Sequence, residues 1–328
     1  MKKQLDKTFD SIISVENLLL AWREFIRGKR GKSDVQEFSL RLMDNIFSLH
    51  SDLKNFTYRH GSYQAFNISD PKPRNIHKAI VRDRLLHHAI YRILYPFFDR
   101  LFISDSFSCR INKGTHKAVA RFKYFTNKAS KSNTRTCWVL KCDIKKFFAS
   151  IDHAILLGIL RGYIPDQRMT NLLEEIIRSF HSTRSGVGLP LGNLTSQLFV
   201  NIYMNEFDQF VKHVLKAKHY VRYADDFVVL SHSREGLEDL LPSIKKFLEE
   251  RLKLSLHPDK VFIKTLAGGV DFLGWVHFPD HKVLRTATKR RMMKRIKENP
   301  TSGTLNSYLG LLKHGNTYKI TKVIHSDF

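Results

Sequence analysis

Val221-Arg222-Tyr223-Ala224-Asp225-Asp226-Phe227-Val228-Val229-Leu230 places two adjacent aspartates between two runs of β-branched and aromatic residues. Such runs around a short polar junction read as a β-hairpin with carboxylates at its turn. Runs of this kind are normally buried, and a buried pair of like charges is unfavourable unless a cation neutralises it. A divalent ion supplies that charge most directly, because carboxylate oxygens are hard ligands. A solvent-exposed Asp-Asp turn is the competing reading. A third carboxylate on another strand decides between the two.

Cys137-Trp138-Val139-Leu140-Lys141-Cys142 reads as a buried strand and runs into Asp143-Ile144-Lys145-Lys146-Phe147-Phe148. Asp143 therefore sits at a strand's C-terminal end. The alternative for Asp143 is a helix N-cap, but the next helix starts well beyond it, with Asp152 and Ser150 as its own cap. Asp143 with Asp225 and Asp226 makes three carboxylates on adjacent strands. In a basic chain this is the set that two Mg²⁺ ions about 3.5–4 Å apart require for in-line phosphoryl transfer.

Lys and Arg number 55 against 31 Asp and Glu, a net charge of +24 over 328 residues. An excess of this size points to a polyanionic partner, with phosphates neutralised by Lys and Arg. The length suits two or three subdomains. With 42% apolar and 12% aromatic residues, the chain is a globule and not a basic disordered tail. Cys109, Cys137 and Cys142 form no CxxC pair, which suits a reducing cytosol. The start, Met1-Lys2-Lys3-Gln4-Leu5-Asp6, leads into no signal-peptide core, and no run of about 18 apolar residues predicts a membrane span.

The first hundred residues read as mostly helical. Leu18, Leu19, Trp22, Phe25 and Ile26 recur at helical spacing over Val15 to Phe25, and a second helix is predicted from Ser33 to about Leu53. The basic loop between them, Arg27 to Lys32, is either solvated surface or a phosphate-approaching backbone, and both readings stand. A long helix is predicted from Ala79 to Phe98, carrying Arg82, Arg84, His87 and His88. Its histidines read as ordinary polar groups, since no His/Cys arrangement has zinc spacing. Gly114-Thr115 introduces a helix from His116 to about Lys128, and the polar stretch Asn127 to Thr136 reads as exposed surface.

Between the two carboxylate-bearing strands lies Gly188-Leu189-Pro190-Leu191-Gly192-Asn193-Leu194-Thr195-Ser196-Gln197, a Gly/Pro turn that opens a helix running through Asp208-Gln209-Phe210. A glycine turn before a helix N-terminus presents free N–H groups to a nucleotide or base pair. Strand-Asp, Pro-x-Gly turn with helix, then Tyr-x-Asp-Asp hairpin: this order resembles the palm of reverse transcriptases from about Lys72 to Trp275. More narrowly, Leu191 to Gln197 is similar to the form found in diversity-generating retroelements. Those enzymes carry Gly-x-x-x-Ser-Gln where group II intron and retroviral relatives have Gln before the Gly and usually Ser-Pro after it. The implied fold is α+β, a right hand with an antiparallel palm sheet and a short helical thumb. Its expected parts are an N-terminal helical extension over 1–71, fingers over 72–135, a palm over 136–282 with a helical insertion around 155–187, and a thumb over 283–328.

The resemblance implies that Asp143, Asp225 and Asp226 are catalytic, with Asp143, Asp225 and the Ile144 carbonyl binding two Mg²⁺ ions, for which Mn²⁺ can substitute. Phe148, five residues after Asp143, matches the aromatic under the deoxyribose that clashes with a ribose 2′-OH; core packing is its other reading. Arg74, and with it Arg82, matches a fingers residue on the triphosphate, where an Arg fork suits phosphate oxygens; a solvated surface charge is the alternative for each. Leu191, Gly192 and Gln197 lie where relatives contact the nascent pair. Lys260, in Leu254-Ser255-Leu256-His257-Pro258-Asp259-Lys260, matches a lysine near the nucleotide phosphates or is a turn residue. Tyr223 and the segment Phe272-Leu273-Gly274-Trp275 match primer-holding positions, though core packing explains Phe272 and Leu273 equally. Arg285, Lys289, Arg290, Arg291, Lys294 and Arg295 would face the template–primer duplex from a thumb helix, since acidic residues are nearly absent there.

Two departures shape the functional expectation. The chain ends at Phe328, so RNase H, maturase and endonuclease functions are expected elsewhere. Leu191 cannot make the hydrogen bond that Gln makes in relatives, so weaker base-pair discrimination is expected, each lost contact being worth on the order of 1–3 kcal/mol. The implied activity is RNA-directed DNA synthesis, error-prone at template adenines, in the cytoplasm of a prokaryotic cell and from a cellular or phage gene. Implied partners are template RNA, the RNA–DNA duplex, dNTPs and a small basic accessory variability protein, with no membrane. The alternatives are a retron, group II-like or defence reverse transcriptase and, from another class, a non-catalytic RNA-binding protein. Retained clustered carboxylates argue against the last.

Overall fold

The computed structural model describes residues 3–69 and 73–327. Met1, Lys2, Pro71 and Lys72 of the segments quoted above, and with them the expected boundary at 71/72, lie outside the described residues.

The N-terminal region is helical as expected: α1 (Phe9–Ile13), α2 (Val15–Phe25), α3 (Ser33–Leu40) and α4 (Leu42–Lys54). Leu18, Ala21, Trp22 and Phe25 form the buried stripe of α2. A hairpin follows, β1 (Tyr63–Ile68) and β2 (Arg74–Ala79), then α5 (Val81–Asp99). Two expectations change here. The single helix from Ser33 to Leu53 is broken at Arg41 (φ −124°, ψ 45°), because α3 packs on α5 while α4 packs on α2. The Asn45 amide takes the Phe38 carbonyl at 2.9 Å, so the break is satisfied locally. The hairpin itself lay within a region read as helical, and Ala79 ends a strand where a helix start was expected. Its strands show no alternation of buried and exposed residues, with Phe66 44% exposed, so no period-two signal existed to find. What anchors the hairpin is buried polar chemistry: Asp83 of α5 accepts from the Tyr58 hydroxyl at 2.8 Å and the Gly61 N–H at 2.9 Å.

Next come α6 (Thr115–Ala129), β3 (Trp138–Asp143), α7 (His153–Arg161), α8 (Gln167–Arg178) and α9 (Leu194–Gln209). The stretch 127–136 is mostly exposed, although Ala129 and Ser130 are buried. Asp152 caps α7 alone, accepting from Ile155 N at 3.1 Å; Ser150 instead donates to the carbonyls of Lys145 and Lys146. The chain continues through β4 (Tyr220–Tyr223), β5 (Asp226–Ser231), α10 (Glu235–Leu252) and β6 (Phe262–Thr265).

Strands β4, β5, β3 and β6 form, in that order, an antiparallel sheet. Apolar residues from β3, β4 and β5 fill both faces. Leu140, Tyr220, Phe227 and Val229 join a core built with Phe199, Tyr203 and Phe207 of α9, whereas Val139, Val221 and Val228 pack with Phe122 of α6. This double burial explains the near-continuous apolar runs in sequence. A second antiparallel sheet, β7 (Val270–Phe272), β8 (Trp275–His277) and β9 (Lys282–Leu284), leads into α11 (Thr286–Glu298), α12 (Ser302–Leu312) and α13 (Tyr318–Asp327). Trp275 and Leu284 share a small core with Met292, Ile296, Leu312 and Ile324. Among the described residues, no helix is long and apolar enough to cross a membrane.

Candidate active site

The turn between β4 and β5 has two residues, Ala224 and Asp225, with Tyr223 and Asp226 paired across it. Ala224 is left-handed at φ 54°, a conformation costly for a residue with a Cβ. Antiparallel pairing sets Asp143 of β3 opposite Asp226 of β5, and Ile144 N donates to Asp225 O at 3.1 Å. Strand register thus brings all three aspartates to one corner of the sheet.

Their electrostatics show what the corner lacks. Burial pushes the Asp225 carboxyl up, and the charge of Asp143 adds to it, against Lys260 and Arg74. Burial pushes Asp226 up to about 7, opposed by Lys141 and reinforced by Asp143 and Asp225. Lys260 Nζ sits 3.1 Å from Asp143 Oδ1, and Lys141 Nζ 3.4 Å from Asp226 Oδ2. Even so, Asp226 Oδ1 is buried with no hydrogen-bond partner among the described residues. A hard divalent cation fits this donor set, since it would satisfy the orphan oxygen and the uncompensated charge together. Among the described residues no three acidic, His or Cys side chains come together closely enough to enclose an ion by themselves, and Lys260 and Lys141 pair with Asp143 and Asp226.

A cleft of about 650 Å³ opens over this corner, lined by Arg74, Lys141, Asp143, Asp226, Lys260, Leu273, Gly274, Arg285 and Arg291 among others. Leu273 (φ 52°) and Gly274 (φ 84°) form the two-residue turn of the β7–β8 hairpin, whose left-handed pair suits a tight hairpin. Arg285 N donates to Gly274 O at 3.1 Å and its guanidinium pairs with Asp271 at 3.0 Å, which fastens the turn to the start of α11. Tyr223 is half-buried and its hydroxyl accepts from Thr115 Oγ1 at 3.1 Å.

Other expected site residues lie elsewhere. Phe272 is fully buried against Phe122, so packing explains it and it presents nothing to the cleft. Arg82 pairs with Asp52, stacks over Tyr58 and lines a separate cavity beside α3. Lys289, Arg290 and Lys294 line a groove along α11, while Met292 and Ile296 anchor the helix on its inner face. Arg295 is exposed on the same helix.

The segment 188–197 is stitched to two neighbours. Leu189 N donates to Phe148 O at 2.8 Å, which ties the half-buried Phe148 to the turn. His77 N of β2 donates to Leu191 O at 3.0 Å, and the Asn193 amide donates to His77 O at 3.0 Å. Gly192 (φ 107°) lies so close to β2 that a Cβ there would meet Ile76 Cγ2 at 2.8 Å. The Leu191 and Gln197 side chains are half-buried. Sequence reasoning missed Lys141 and His77. Strand alternation could have placed Lys141 on the same face as Asp143, two residues on; nothing local marks His77.

An acidic hairpin turn at the corner of a four-stranded antiparallel sheet, helices packed on the sheet and a basic helical unit after it define a right-hand, template-directed nucleic-acid polymerase fold. The family described as "Reverse transcriptase (RNA-dependent DNA polymerase)" matches residues 69–277, and the chain belongs to it. Its class of activity is RNA-directed DNA polymerisation, with an RNA template and dNTPs, and reverse transcriptase domains use divalent metal ions. Protein YkfC of Escherichia coli (strain K12) is 26% identical over 275 residues, covering 73% of this chain and 70% of that protein. The group II intron-encoded protein LtrA of Lactococcus lactis subsp. cremoris is 24% identical over 298 residues, 70% of this chain but 47% of LtrA, so the chain spans about half of that relative. A truncated apo telomerase from Candida tropicalis shares the fold, with TM-score 0.51 and 12% identity over 74% of this chain and 60% of that one.

Proposed function

We propose that the protein copies a retroelement template RNA into cDNA, with Asp143 and Asp225 as metal ligands, helped by the Ile144 carbonyl, and Asp226 in support. The observation that carries this is the convergence of three carboxylates at one corner of the sheet, two with raised pKa and one with an orphan oxygen, where Asp143 and Asp226 line a cleft that also holds Arg74, Lys141, Lys260, Arg285 and Arg291. When bound, two Mg²⁺ ions (or Mn²⁺) activate the primer 3′-OH and neutralise the departing pyrophosphate. Arg74 and Lys260 orient triphosphate oxygens in the cleft, Phe148 packs beneath the sugar, and the Leu273–Gly274 turn steadies the primer end. Asp225→Asn should abolish dNTP incorporation on a primed RNA template, whereas undiminished activity would remove the carboxylate from the reaction.

In this reading residues 72–135 are fingers, 136–282 palm, 283–328 thumb and 1–71 an extension, although the β1–β2 pairing joins the extension to the fingers across their boundary. Helices α7 and α8 fill the insertion. The narrower reading is a diversity-generating retroelement enzyme with a basic accessory protein, working in a prokaryotic cytoplasm. The Leu191-Gly192-Asn193-Leu194-Thr195-Ser196-Gln197 form supports it. A group II-like role is the second reading, favoured by the likeness to LtrA. Sequencing cDNA made from a defined RNA separates them: errors concentrated at template adenines support the first, and evenly spread errors the second.

A further inference from the structure

Arg222 is 0% exposed, and so is its partner Asp208 on α9. A buried guanidinium is tolerated only when it is fully paired, and here all five N–H groups are used. Nε and Nη2 grip the two Asp208 oxygens at 2.7 Å each, and Nη2 also donates to Ser106 Oγ at 3.1 Å. Nη1 donates to Asn201 Oδ1 at 3.3 Å and to Ala224 O at 3.1 Å. Tyr220 completes Asp208 with a 2.7 Å hydrogen bond. An ion pair this deep adds little net stability over an apolar replacement, so its contribution is geometric.

What it fixes is the turn that carries Asp225. Ala224 holds a left-handed conformation that a residue with a Cβ avoids unless its surroundings enforce it. Arg222 binds the Ala224 carbonyl, while Ile144, the residue after Asp143, binds the Asp225 carbonyl. Both carbonyls of the turn are therefore held. Strand β4 cannot slide to relieve them, because Arg222 N donates to Asp105 O and Phe107 N donates to Arg222 O, each at 3.0 Å.

We propose that Arg222 is a positioning residue for the reaction at this site. Its guanidinium holds the Ala224–Asp225 turn so that Asp225 meets Asp143, and through Asp208 it makes that turn and α9 one rigid piece. Helix α9 starts at Leu194, within the 191–197 segment, so the carboxylate corner and the expected nucleotide-facing turn keep a constant spacing. This rests on the assignment of Asp225 as a metal ligand. Lysine keeps the charge but lacks the planar fork, and cannot reach Asp208 and the Ala224 carbonyl together.

The test is Arg222→Lys in the full chain, read by Mn²⁺ binding to the nucleic-acid-free protein by electron paramagnetic resonance and by kcat and KM for dNTP. Mn²⁺ affinity and kcat should fall about 10–100-fold, the usual effect of losing a group that orients a metal ligand. The KM for dNTP and the affinity for template–primer should stay as in the wild type. Wild-type Mn²⁺ binding and kcat, with only a lower melting temperature, would overturn the proposal. Should Arg222→Lys not fold, the double variant Arg222→Met/Asp208→Leu removes both buried charges at once. Weak Mn²⁺ binding in that folded protein supports positioning, and wild-type binding overturns it. Failure of the metal assignment itself looks different: Asp225→Asn would bind Mn²⁺ as the wild type does.

Discussion

At the residue scale, the site depends on a few side chains whose neighbours limit what they can do. Phe148 is half-buried, and its ring packs against the core and edge-on to Phe147 with centroids 5.6 Å apart, which limits its rotation. Phe148→Ala should therefore raise ribonucleotide use relative to dNTP by roughly tenfold or more, the scale of one lost steric check. An unchanged preference in competing incorporation would mean that another group gates the sugar. Gly192 is the second such residue. Gly192→Ala would combine a φ of 107° with a 2.8 Å approach to Ile76 Cγ2. It should cost roughly 1–3 kcal/mol, measured by denaturant unfolding, because backbone strain and steric overlap both act there. A neutral result would show that the turn can leave β2 freely. The sequence marks Gly192 as special but not the reason, since its neighbour Ile76 is far away in the chain.

At the element scale, α11 separates its two tasks by face. Met292 and Ile296 anchor it, and Lys289, Arg290 and Lys294 stand in an open groove. Lys289→Glu/Lys294→Glu should leave the melting temperature nearly unchanged. It should weaken duplex binding and flatten its salt dependence, since each lost phosphate contact removes about one unit of slope. Equal slopes for variant and wild type would take this face out of the duplex interface. This helix was legible because its charge run carries almost no acidic residues. The β1–β2 hairpin was not legible: it buries no continuous apolar face, and Tyr58, Gly61 and Asp83 hold it down across long stretches of chain. Phe272 shows the opposite limit, since a core aromatic and a primer-facing one look alike until packing assigns the face.

At the scale of the whole molecule, stability should depend jointly on pH and metal. The Asp226 carboxyl stays protonated up to about 7 in the folded chain, whereas an unfolded aspartate ionises near pH 3.9. The folded state then holds the extra proton across that window, so the stability due to this group is present at low pH and is lost as pH rises through 7. In EDTA, melting temperatures should fall between pH 5 and 8 by more in the wild type than in Asp226→Asn. Mg²⁺ should stabilise the wild type at pH 8 and much less at pH 5, because protons compete for the same carboxylates. Equal Mg²⁺ effects at both pH values would contradict a metal site at this corner. By itself the sequence determined the polymerase class, since hairpin, strand-aspartate and helix-opening turn are local patterns carried by neighbouring residues. Only the tertiary structure decided how these parts meet: Asp143 opposite Asp226, His77 clamping the 191–193 turn, Arg222 buried on Asp208. Those pairings join residues from 14 to 116 positions apart, and strand register and packing, which no local pattern encodes, select them.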